Sequence, residues 1–223
     1  MDETVIVVTG AEPLHPDAVT RLPPNGIVIA ADGALDHALA AGLTPAGLVG
    51  DLDSISPGGL AWAEAHATIQ RHDPNKDHTD TELALAMAAD FNPARLVMVS
   101  GGGDRLDHTF AAIGALGQPM LTSIPIVEGW WGSQHFRVLH GPGRLNFDVV
   151  PGTTISLLAM QGRCNGLTIT GVKWPLDAER LAAMVGRGVS NLATDEHVEV
   201  AVSEGVVTIF SYANSTTSEE QPS

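Results

Sequence analysis

Cysteine and positive charge are scarce in this chain. Cys164 is the single cysteine among 223 residues, so no internal disulfide can form and no thiolate pair is available to hold zinc. Metal chemistry must therefore fall mostly to oxygen ligands. Lysine and arginine number 11 against 26 aspartates and glutamates, for a net charge of −15. That balance argues against nonspecific nucleic-acid binding or an anionic membrane surface, since both need positive charge to displace counterions. No run of about 18 apolar residues suggests a membrane span. The start, MDETVIVVTG, opens on acids and enters a β-like run, unlike a secretory leader, so the cytoplasm is the expected location. Hydrophobic residues make up 44% and charged residues 17%, which excludes a disordered chain and leaves one large domain or two ordinary ones.

What is present begins as an alternation of β-like and helical segments. Val5–Val8 is a β-branched run ending at Thr9-Gly10, and GIVIAA from Gly26 runs into Asp32-Gly33-Ala34 at the start of a helix. Leu48 to Ser54 ends a further strand in two acids one residue apart. Side chains at i and i+2 of an extended segment face the same way, so Asp51 and Asp53 can share one hard cation. Ser56-Pro57 supplies its own helix start, which weakens the plainer reading of Asp53 as a cap. RLVMVS from Arg95 ends in Gly101-Gly102-Gly103-Asp104-Arg105-Leu106-Asp107-His108. Its glycine N–H groups can cradle phosphate oxygens, Arg105 adds a bidentate donor, and Asp107 can cap the next helix. Acids, glycines and an arginine thus recur at successive strand ends, the edge where open α/β sheets bind ligands.

The densest stretch is RHDPNKDHTDTELALAMAAD, from Arg71 to Asp90. Thr79-Asp80-Thr81-Glu82 reads as a capping box, which puts Asp80 in a helix's first turn, and Lys76 lies one short loop upstream. An ammonium, the carboxylates of Asp77 and Asp80 and the positive end of a helix are parts suited to a magnesium-bound polyphosphate. An acid-rich solvated loop with ordinary capping is the plainer alternative.

From about Pro119 the helical periodicity fades into short β-like runs separated by Gly and Pro, such as Arg144–Val149, Thr153–Ala159, His197–Val202 and Val206–Phe210, as in a β-sandwich or small barrel. Ile124–Val127 and His135–Leu139 read as part of the same set, and Asp177–Val185 as its one helix-like interruption. The tail from Ala213 to Ser223 is polar and reads as disordered. Trp174, beside Pro175, can stack on a flat cationic heterocycle; Trp130 and Trp131 fit plain packing better.

Gly50-Asp51-Leu52-Asp53-Ser54, Lys76-Asp77-His78-Thr79-Asp80, Gly102-Gly103-Asp104-Arg105-Leu106-Asp107-His108 and Gly171-Val172-Lys173-Trp174-Pro175-Leu176 with Ser190-Asn191 resemble, in order and approximate spacing, the thiamine pyrophosphokinases. The match runs from about Val5 to Phe210 and is loose on the N-terminal side of the glycine turn. The resemblance implies a Rossmann-like α/β domain with a mostly parallel sheet over residues 1–122 and an all-β sandwich over 123–212. It also implies a homodimer with active sites near the domain and subunit boundary, and transfer of pyrophosphate from ATP to the hydroxyl of thiamine with release of AMP. Carried over residue by residue, it makes Asp51, Asp53 and Asp80 the magnesium-associated acids. For such a transfer Asp77 or Asp80 is the expected acceptor of the hydroxyl proton, and the sequence does not choose between them. Asp32, Lys76, Asp77, Gly102, Gly103, Arg105 and Asp107 would line the ATP and phosphate site, and Trp174, Ser190 and Asn191 the thiamine site. The rivals are a pyrophosphokinase for another hydroxymethyl heterocycle such as a pterin, a noncatalytic nucleotide-binding module, and a metal-dependent phosphohydrolase.

Overall fold

The computed structural model describes residues 3–103 and 105–212. The expected disorder of 213–223 lies outside them. The chain divides into two compact units between Val138 and Leu139. In the first, strands and helices alternate: β1 (Thr4–Thr9), α1 (Pro16–Val19), β2 (Ile27–Ala31), α2 (Ala34–Ala40), β3 (Gly47–Gly50), α3 (Pro57–His66), β4 (Thr68–Arg71), α4 (Asp80–Asp90), β5 (Arg95–Ser100), α5 (Leu106–Ala115) and β6 (Ile126–Trp131), followed by β7 (Gln134–His140), which crosses the division. The strand order is β4-β3-β2-β1-β5-β6-β7. Every pair from β4 to β6 is parallel, and only β6–β7 is antiparallel.

The sequence explains the layering. Val5, Ile6, Val7 and Val8 of β1 and Leu96, Val97, Met98 and Val99 of β5 are all buried, the continuous apolar character of strands covered on both faces. Helix α4 packs on β1, β2 and β3 through Ala84, Leu85 and Ala88. Chain order reverses between β1 and β5, so the connections leaving these paired strands run in opposite directions and leave a crevice outside their carboxyl ends.

The second unit is two antiparallel sheets. One has the order β12-β9-β14, from Asn191–Leu192, Thr154–Leu158 and Val206–Tyr212; the other is β11-β10-β13-β8, from Leu176–Leu181, Cys164–Thr170, His197–Val202 and Gly143–Asp148. Alternate residues of β13, Val198, Val200 and Val202, are buried, as a half-covered strand requires, and they join Ile155, Leu157, Ile169 and Ile209 in one core.

Two sequence-based expectations change. Residues 123–138 lie with the α/β unit, because β6 extends the parallel sheet beside β5 and β7 returns along it. Asp177–Val185 is no helix: residues 176–181 form β11 against β10, with Ala178 at φ +49° and irregular register. The helix-favouring Asp-Ala-Glu-Arg-Leu string is overridden by pairing and by burial of Leu181, since propensity is a weak prior against tertiary context. Among the described residues no helix is long and apolar enough to cross a membrane.

Candidate active site

Asp32 follows β2 directly and is held in the left-handed region at φ +46°, where its short polar side chain can settle by hydrogen bonding locally. Its Oδ1 accepts from the Leu52 N–H at 3.0 Å, and its Oδ2 accepts from the Ser54 hydroxyl. One carboxylate thereby fastens the loop after β3. Leu52 is also left-handed, at φ +69°, so two unfavourable backbone conformations stand side by side, as they tend to at functional sites. A Cβ on Gly50 would lie 2.8 Å from Asp32 Cβ, so only glycine lets β3 and the turn after β2 come this close.

The opposite wall is the start of α4. Thr79 accepts from the Glu82 N–H at 3.2 Å while Glu82 Oε2 accepts from the Thr79 N–H at 2.8 Å, the capping box expected from the sequence. Burial pushes the Glu82 carboxyl up, yet the Thr79 N–H and hydroxyl and the Gln118 amide together hold it below its ordinary value. Thr81 meets Thr9 at 2.5 Å between hydroxyl oxygens, tying this helix start to the end of β1.

Between these walls, carboxylate oxygens of Asp32, Asp51 and Asp80 all lie within 4.8 Å of one another. Lys76 Nζ stands 2.9 Å from Asp80 Oδ1 and 3.7 Å from Asp51 Oδ2. Burial opposes the charge of Lys76, but Asp80, Asp51 and Asp32 outweigh it and raise its pKa. One ammonium against three carboxylates leaves an excess of about two negative charges, and half-buried carboxylates from two strand ends and a helix start are the oxygen donors a hard divalent cation takes. The donor set therefore fits magnesium. These residues line a cavity of about 490 Å³ together with Thr9, Gly33 and Ser54.

The structure thus brings together Asp32, Asp51, Lys76 and Asp80. Asp53 is exposed and outside the three-carboxylate cluster; the Asp51 charge, then burial, then Asp32 push its carboxyl up. A bend after β3, rather than an extended strand, separates it from Asp51, whose Oδ1 accepts from the Asp53 N–H at 3.3 Å. Asp77 is exposed too. Gly102 and Gly103 take φ values of +107° and +155°, which favour glycine. Arg105 and Asp107 are exposed and bonded to each other, and the guanidinium, then the His108 N–H, hold the Asp107 carboxyl at about 2. Asp107 does not cap α5: Arg105 occupies the cap position, and Asp107 is the second residue of the first turn. His37, His78 and His108 also line the cavity; the sequence placed His78 and His108 within the matched motifs but gave none of the three a role. A strand-end position was the only available signal for Thr9, and Thr81 read as part of a cap alone.

In the second unit, Trp174, Ser190 and Asn191 line one cavity of about 420 Å³ with Leu157, Pro175 and Glu179. Trp174 is 54% exposed, with Lys173 Nζ 4.7 Å from its ring centroid. An exposed indole beside an apolar wall suits stacking of a flat ring, and the cavity's acid, Glu179, is paired with Arg187.

Residues 22–127 match the family model described as thiamin pyrophosphokinase, catalytic domain, and residues 144–207 match thiamin pyrophosphokinase, vitamin B1 binding domain. A thiamine pyrophosphokinase of Bacillus subtilis is 28% identical over 174 residues, 77% of this chain and 80% of its own length. The crystal structure of a Bacillus subtilis thiamine pyrophosphokinase superposes with a TM-score of 0.80 at 22% identity, over 96% of this chain and 100% of that one. Thiamin pyrophosphokinase from Candida albicans gives 0.71 at 16% identity, over 95% and 90%. These structures share the fold; the two matched families, each falling on one of the two units and containing that unit's candidate residues, carry the assignment. The chain belongs to the thiamin pyrophosphokinase family.

Proposed function

We propose that this protein transfers a pyrophosphoryl group from ATP to the hydroxyl of thiamine, giving thiamine diphosphate and AMP, with magnesium as the metal. The observation that carries the phosphate half is the Asp32, Asp51 and Asp80 cluster with Lys76 in a crevice at the carboxyl edge of a parallel sheet. These acids would hold magnesium, which when bound neutralises polyphosphate charge. Lys76 and the N–H groups at the start of α4 supply positive charge toward the phosphates.

In the reaction, the thiamine oxygen bonds to the β-phosphorus as the bond from that phosphorus to the bridging oxygen breaks. AMP leaves with the electron pair, and the hydroxyl proton passes to a carboxylate, Asp77 or Asp80. The protein's task is mainly alignment and charge compensation. Gly102, Gly103, Arg105 and Asp107 are proposed to hold the remaining phosphate and nucleotide groups. The second unit, with Trp174, Ser190 and Asn191, is proposed to recognise thiamine, so that residues 1–122 and 123–212 separate transfer chemistry from substrate recognition apart from the β6–β7 region.

We also infer a cytoplasmic homodimer; the exposed apolar side chains Leu106, Phe110, Trp174, Met184, Val185 and Val189 support association. Incubation with ATP, magnesium and thiamine, followed by mass detection of thiamine diphosphate and AMP, tests the activity. Phosphate release without an acceptor would point instead to a hydrolase. Sedimentation at micromolar concentration tests the dimer, and a monomer would sink it.

A further inference from the structure

Asn191 has the most fully engaged side chain of the second unit's cavity. It is only 8% exposed. Its Oδ1 accepts from the Trp174 N–H at 3.1 Å and from the Leu192 N–H at 2.9 Å, and its Nδ2 donates to the Trp174 carbonyl at 2.7 Å. A carboxamide has two acceptor lone pairs and two N–H donors, so the oxygen is saturated and at most one N–H is left over. Both main-chain groups of Trp174 are thus bound by one side chain 17 residues away.

The surrounding backbone reinforces this contact. The Lys173 N–H donates to the Leu192 carbonyl at 2.8 Å, and Val172 bridges Ala193. Asn191 itself is anchored by β12 pairing with Ile155 of β9, and its neighbour Ser190, at φ +62°, donates its N–H to Ser156 Oγ at 3.0 Å. The indole, by contrast, projects from a backbone that Asn191 holds in place while the ring itself stays over half exposed.

Resting on the reading that this cavity takes thiamine, we propose that Asn191 contributes to it as a positioning residue that sets the Trp174 indole as a stacking platform. Stacking depends on ring placement, and a backbone free to wander lowers the fraction of molecules with the platform in place. Apparent affinity falls by that fraction. Binding of ATP is untouched.

Asn191→Ala, Trp174→Ala and the double variant test this. Asn191→Ala should raise the thiamine KM roughly tenfold to a hundredfold, as expected for the loss of both hydrogen bonds to Trp174, with the ATP KM within about twofold of wild type. Because Asn191 acts through Trp174, the double variant should be no worse than Trp174→Ala. Multiplying effects, or an equal rise in the ATP KM, would overturn the proposal. A second measurement needs no substrate: in Asn191→Ala the Trp174 indole N–H resonance should shift or broaden while those of Trp62, Trp130 and Trp131 stay put, and an unmoved Trp174 resonance would also overturn it. If the alanine variant fails to fold, Asn191→Asp carries the same comparisons, since it keeps the volume but sets a carboxylate against the Trp174 carbonyl. A wild-type protein that does not turn over thiamine refutes the reading of the cavity, and the resonance measurement still judges the clamp.

Discussion

Lys76 Nζ lies 2.9 Å from Asp80 Oδ1 and also within 3.7 Å of Asp51, so a single ammonium is shared by acids from the start of α4 and the end of β3. Removing it should separate metal binding from turnover. Lys76→Met is predicted to bind magnesium several-fold more tightly without ATP, because the three carboxylates lose their internal counter-charge, yet to lose roughly a hundredfold in turnover for want of a phosphate contact. Calorimetric titration with magnesium and steady-state kinetics check the two halves; weaker metal binding would refute the charge argument.

The aspartates should divide into two classes. Asp32→Asn, Asp51→Asn and Asp80→Asn keep the shape of the cluster and remove its charge. Each is predicted to lower kcat by roughly a hundredfold or more, while Asp53→Asn loses less than about tenfold, since Asp53 stands outside the cluster. Thermal melts should show all four folded, and addition of magnesium should raise the wild-type Tm but not that of the three cluster variants. A full loss in Asp53→Asn with activity retained in Asp32→Asn would reverse the metal assignment.

Thr79 couples stability to the site. Thr79→Ala removes the acceptor that satisfies the Glu82 N–H and should cost about 1 kcal/mol in urea unfolding, together with a several-fold fall in activity as the first turn carrying Asp80 loosens. Thr79→Ser retains the acceptor and should restore both.

Glu128 governs acid stability away from the site. It is buried; burial raises its carboxyl, but hydrogen bonds from His135 at 2.9 Å and from Arg95 hold it below its ordinary value of 4.5. A carboxyl whose folded pKa is depressed contributes stability above its unfolded pKa and loses it as pH falls through the folded one. Glu128→Gln should therefore cost on the order of 3 kcal/mol at pH 7, because it leaves Arg95 without its charge partner. The gap between variant and wild type should close as pH drops below 4.5 in denaturant titrations. A gap independent of pH would show that the carboxylate charge is not what stabilises the pair.

The sequence by itself determined the local pieces: the β-branched runs of β1 and β5, the capping box at Thr79, the Ser56-Pro57 helix start and the pattern of acids and glycines at strand ends. Each depends on residues within a turn or two of one another, where side-chain type alone limits the backbone. It also marked Trp174, Ser190 and Asn191, which the structure brings to one cavity. The side of the division on which residues 123–138 fall, and the strand at 176–181, were decided by pairing with β5 and β10, contacts that local propensity does not encode. Tertiary structure alone put Asp32 in the carboxylate cluster and left Asp53 at its edge, because a bend after β3 cancels the same-side geometry that an extended Asp-x-Asp would have had. Tertiary structure also made Asn191 a clamp on Trp174, since a side chain's partners 17 residues away depend on which strands meet.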